Sequence, residues 1–80
     1  MIYKQYSVVT IAELNREFSP LDSSVGDRLP QIGDEATIVE VYSEPTLGYE
    51  LECVDKNGDT HWLVTFAPKD ALFELRHEPT

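Results

Sequence analysis

Asp55, Lys56, Asn57, Gly58 and Asp59 stand between two runs of strand-forming residues, and no other feature of the chain constrains its fold as strongly. Asn57 and Gly58 favour the left-handed backbone of a tight reversal. The spacing predicts a type I turn with Gly58 left-handed, closing a three-residue hairpin loop with a bulge. Before the turn, in residues 49–54, Tyr49, Leu51 and Cys53 alternate with Glu50 and Glu52. After it, residues 60–66 hold Trp62, Val64 and Phe66. A chain organised around such a hairpin builds antiparallel sheet.

The rest of the pattern extends that sheet. Residues 35–42 alternate, with Thr37, Val39 and Val41 on one face and Ile38, Glu40 and Tyr42 on the other, and read as a half-buried strand. Residues 6–11 are rich in β-branched and aromatic types and read as a first strand, with a short helical turn expected over residues 12–18. Residues 19–30 hold two prolines, a glycine and three serines and read as a long loop with one 3₁₀ turn. Pro68 suits the first position of a short turn over residues 67–72. A closing strand at residues 73–75 and a fraying tail at residues 77–80 complete the expectation. This serial order predicts a mainly β, SH3-like small barrel of about five antiparallel strands, with a long loop between strands 1 and 2 and a helical turn before the last strand.

Eighty residues leave room for a single domain over 1–80, with a core over roughly residues 6–76. A domain of this size buries only ~60–65% of its unfolded surface, so its chemistry is expected on the outside. Fifteen Asp and Glu oppose six Lys and Arg, a net charge of −9, and the acids are spread along the chain. Such a field repels phosphate backbones and anionic lipid and attracts basic protein surfaces. The expected partner is a protein with a basic surface, not nucleic acid or a membrane. No stretch approaches the roughly twenty apolar residues of a membrane span. Residues 1–5 are not a basic segment leading into an apolar run, so a cytoplasmic protein without a signal peptide is expected. The single cysteine, Cys53, excludes an intramolecular disulfide.

Residues 32–42 (Ile-Gly-Asp-Glu-Ala-Thr-Ile-Val-Glu-Val-Tyr), residues 49–55 (Tyr-Glu-Leu-Glu-Cys-Val-Asp), Asn57 with Gly58, and residues 63–65 (Leu-Val-Thr) resemble a family of small bacterial SH3-like domains of unknown function. That family's pattern runs glycine, two residues, a second glycine, Thr-Ile-Val-Glu-Val-Tyr, then a Tyr-Glu-Val-Glu-Phe-Val-Asp strand and a glycine turn. The chain departs from it at Ala36, where the pattern has glycine, at Cys53, where it has phenylalanine, and in residues 15–30, which look like an insertion. The resemblance implies a small acidic partner of a toxin, an antitoxin or immunity protein. It implies no activity, cofactor or catalytic residue.

The hairpin is expected to set Cys53 opposite His61 and Leu51 opposite Leu63, and to bring Glu40 across from Glu52. On that register Ile38, Glu40, Tyr42, Glu50, Glu52, Trp62, Val64 and Phe66 point outward together, and Glu40, Tyr42, Glu50, Glu52, Trp62 and Phe66 are the candidate partner-binding residues. Aromatic anchors amid carboxylates have the anatomy of a protein interface. A one-residue shift reverses every side chain, putting Trp62, Val64 and Phe66 in the core, and the sequence leaves both registers open. Cys53 and His61 as a thiolate and its base, or with His77 as a zinc site, are the weaker readings, because no CxxC or HxxxH spacing supports them. Neither a catalytic, a cofactor nor a metal site is expected. The alternative to a partner-neutralising domain is an accessory or scaffold domain that forms a homodimer or stabilises a larger assembly.

Overall fold

The computed structural model describes residues 3–79. Six strands, β1 (Val8–Leu14), β2 (Ser23–Gly26), β3 (Glu35–Tyr42), β4 (Gly48–Val54), β5 (Thr60–Phe66) and β6 (Ala71–His77), form one antiparallel sheet, with 3₁₀ turns at Pro20–Asp22 and Pro68–Asp70. The sheet order is β2-β5-β4-β3-β1-β6. A first strand, a long connection, the β3–β4–β5 meander, a 3₁₀ turn and a last strand returning beside β1 make up the expected SH3-like plan. The sixth strand is the addition: β2 arises inside the long connection and pairs with the far side of β5.

The β4–β5 turn forms as its residues require. The Gly58 amide donates to the Asp55 carbonyl at 3.0 Å and the Asp55 amide to the Asp59 carbonyl at 2.8 Å, while Gly58 has φ of +86°. Asp55 Oδ1 accepts from the amides of Asn57 and Asp59 at 2.8 and 3.0 Å, the local bonding that favours aspartate at this position.

The bulge beside that turn decides which face is inside. Val54 lies opposite Thr60, but Cys53 lies opposite Trp62, so His61 is an extra residue on β5. One inserted residue inverts a period of two. The expected pairing of Cys53 with His61 and of Leu51 with Leu63 is therefore corrected to Cys53 with Trp62 and Leu51 with Val64. Trp62 and Phe66 have no exposed surface and Val64 almost none. Burying a side chain such as Phe66 contributes about 1.5–3 kcal/mol, so the face that carries the rings wins the interior.

A second bulge divides β3. Ile38 pairs with Leu51 but Glu40 pairs with Glu50, leaving Val39 as the extra residue. Ala36 and Ile38 are buried before it, and after it Val41 turns to the core while Tyr42 stays exposed. The expected face of Thr37, Val39 and Val41 is thus split, and Glu40 faces Glu50 instead of Glu52.

Three expected boundaries also move. β1 runs to Leu14 in place of the helical turn over residues 12–18, because Glu13 and Leu14 pair with Leu72 and Ala71 of β6. Tertiary pairing overrides the helix propensity of that stretch. β6 covers Ala71–His77, longer than residues 73–75, and His77 pairs with Val8 in place of fraying, while Thr80 lies outside the described residues. The two edges of the sheet are both blunted. β2 has four residues and a register shift; β6 carries an extra residue at Arg76, and the Tyr3 hydroxyl donates to its Phe73 carbonyl at 3.3 Å.

Residues 15–34 are tied down by polar contacts. Ser19 and Asp22 form a capping box around the first 3₁₀ turn. The Arg16 guanidinium lies 3.8 Å from the centre of the Phe18 ring and bonds Asp70 at 3.2 Å, and Phe18 packs on Phe66. Asp34 accepts two bonds from Arg28, each 2.8 Å, and one from the Trp62 indole N–H at 2.9 Å.

Candidate protein-binding surface

Of the six candidate residues, the fold keeps four on the surface and withdraws two. Trp62 and Phe66 are core side chains, a correction that follows from the His61 bulge. Glu40, Tyr42, Glu50 and Glu52 lie on the outer side of the β3–β4 pair. Glu40 sits directly opposite Glu50, a like-charge pairing that costs stability when no cation meets it. Glu52 lies between Thr37 and Leu63 of the flanking strands and accepts a bond from Thr60 Oγ1 at 2.9 Å.

Tyr42 marks the end of this carboxylate row. It is 41% exposed. Loss of solvent, then the charges of Glu50 and Glu40, push its phenol above the usual tyrosine range. A negative field around the ring disfavours a phenolate and favours a cation above the ring's face.

Four of the chain's six Lys and Arg are committed elsewhere. Lys4 pairs with Glu78, Arg16 with Asp22 and Asp70, Arg28 with Asp34 and Arg76 with Glu74. Among the described residues Lys56 and Lys69 form no ion pair, and none reaches Glu40, Glu50 or Glu52.

Beyond Tyr42 the β3–β4 loop folds against the end of β5. There it borders an open cleft of about 260 Å³ lined by Tyr42, Glu44, Pro45, Thr46, Leu47, Gly48, Thr65, Phe66 and Ala67. The sequence reading missed Glu44 and Leu47 here, because they are brought to Ala67 only by the loop's path. A larger cleft, about 430 Å³, lies in the β1–β3 connection, with Pro20, Val25, Asp27, Arg28 and Leu29 in its lining.

The residues considered for chemistry do not converge. Cys53 is buried; burial first, and the Asp34 charge second, push its thiol above the usual range, so it stays protonated. His61 Nδ1 lies 3.0 Å from Asp27 Oδ1, on the rim. Among the described residues no group of three or more His, Cys, Asp or Glu is placed to hold a metal, and no helix is long and apolar enough to cross a membrane.

Asp34 is the polar residue that the sequence did not single out. Its side chain is 11% exposed. Burial alone would raise its carboxyl; the bonds from Arg28, the Trp62 indole and the Gln31 amide outweigh that and hold it below the usual carboxylate range. It anchors the β1–β3 connection to the core tryptophan.

Comparison with known proteins finds no matching family model, no matching curated protein and no matching solved structure.

Proposed function

We propose that this chain is a non-catalytic, acidic protein-binding domain that neutralises a basic protein partner, in the manner of an antitoxin or immunity protein. The observation that carries the reading is the Glu40–Glu50 pairing beside Tyr42, which no ion pair among the described residues reaches. A surface that retains a destabilising like-charge pair gains most when a partner's Lys or Arg arrives. The resemblance to small SH3-like domains beside toxins supports the more specific role.

Binding proceeds by steric cover and charge. The partner's cations pair with Glu40, Glu50 and Glu52 and are no longer free to grip an anionic substrate, while Tyr42 packs at the edge of the contact. The field of a chain carrying −9 speeds encounter.

The test is affinity capture of partners by the wild type and by Glu50→Lys and Tyr42→Ala at low and moderate salt, followed by titration of the purified candidate. Both variants should fold as the wild type does, by far-ultraviolet circular dichroism and urea midpoint. A basic protein that binds the wild type, is released by salt and is weakened by Glu50→Lys supports neutralisation. A partner indifferent to both substitutions and to salt sinks the reading.

A further inference from the structure

The cleft at the end of the carboxylate row has a shape and lining that select one kind of occupant. Its volume, about 260 Å³, lies below the usual range of pockets for drug-sized ligands but has room for a single long side chain. Pro45, Leu47 and Ala67 supply apolar wall, Tyr42 an aromatic face, and Glu44 a carboxylate. Glu40, two residues back on β3, and Glu50, on β4, act on Tyr42, and no ion pair among the described residues involves any of these three glutamates. Arginine and lysine combine a methylene stem that seeks apolar wall with a cationic head that seeks carboxylate or an aromatic face.

We infer that the cleft between the β3–β4 loop and Ala67 receives one arginine or lysine side chain of the basic partner, its stem against Pro45 and Leu47 and its cation between Tyr42 and Glu44. The inference rests on the acidic-surface reading and adds the position of the anchoring contact. Complementarity of charge commits the occupant: an acidic side chain would be repelled by Glu44 in the lining and by Glu40 and Glu50 beside Tyr42, and an apolar one would leave Glu44 unmet.

The experiment is a ¹H–¹⁵N titration of the intact chain with an acetylated, amidated hexa-arginine peptide at low salt. Wild type is compared with Tyr42→Ala, Glu44→Gln and, as a remote control, Glu13→Gln. Saturable shifts concentrated at the amides of Thr46, Gly48 and Ala67 are expected. Each of Tyr42→Ala and Glu44→Gln should weaken them by roughly two- to five-fold, the worth of one exposed cation–π or ion-pair contact, and Glu13→Gln should leave them unchanged. Shifts spread evenly over the acidic surface, with Tyr42→Ala and Glu44→Gln no different from Glu13→Gln, would overturn the cleft while the acidic surface stood. Absence of any shift would overturn both.

Discussion

Replacing Asp34 by alanine tests the account of the core most directly. The carboxylate accepts four bonds, two from Arg28 and one each from the Trp62 indole and the Gln31 amide. Water can reach Gln31 and part of Arg28 once it is gone. It cannot reach the indole N–H in the same way, since Trp62 has no exposed surface. An orphaned buried donor costs about 1–3 kcal/mol, and losing a charge-assisted bond to Arg28 adds about 1.5 kcal/mol. The expected loss is about 3 kcal/mol, a large share of the roughly 4–12 kcal/mol that a chain of this length commands. Urea unfolding followed by the fluorescence of Trp62, the chain's only tryptophan, measures it. Asp27→Ala is the control: that side chain is 74% exposed and its one ion pair among the described residues is with His61, so a urea midpoint close to that of the wild type is expected. A loss below about 1 kcal/mol for Asp34→Ala, at an unchanged denaturant slope, would refute the assignment. The acid limb adds a second reading. Because the folded carboxyl of Asp34 is depressed, its stabilisation is present above the unfolded value of about 3.9 and is lost as pH falls through the folded value. The gap between wild type and Asp34→Ala should therefore close in strong acid.

Other expectations are as specific. Gly26→Ala should destabilise by at least about 2 kcal/mol, because φ is +112° and a Cβ would lie 2.1 Å from the His61 carbonyl oxygen. Gly33→Ala, left-handed but in open space, should cost about 1 kcal/mol, and equal urea midpoints for the two would contradict the close approach of β2 to β5. Cys53 should react slowly with a thiol reagent in the native state and rapidly in urea; fast native labelling would contradict its buried, protonated state. The Tyr42 phenol, isolated by difference against Tyr42→Phe in an ultraviolet titration, should ionise above the ordinary range, and Glu50→Gln should bring its midpoint down. An unmoved midpoint would separate Glu50 from Tyr42.

The elements that were legible are those specified by neighbouring residues. Asn57 and Gly58 define a turn whichever way the sheet faces, the alternation in residues 35–42 and 49–54 defines strands, and Pro68 starts the last 3₁₀ turn. Glu40, Glu50 and Glu52 were legible as surface because a carboxylate without a partner does not enter a core. Tyr42 followed from its place at the end of that strand.

Tertiary structure decided the inside and the outside wherever a bulge intervenes. The bulges at Val39 and His61 each add one residue, and in a period of two that reverses everything beyond. Whether a bulge forms depends on what the reversed face can bury and bond. Trp62 enters the core because its ring packs on Phe66 and its N–H reaches Asp34, a residue 28 positions away. The same dependence on distant partners extended β1 along β6 and drew β2 out of the long connection onto β5. Local spacing thus determined where the chain turns and where it extends, whereas long-range burial and hydrogen bonding decided which side of β5, and of β3 on either side of its bulge, became the surface.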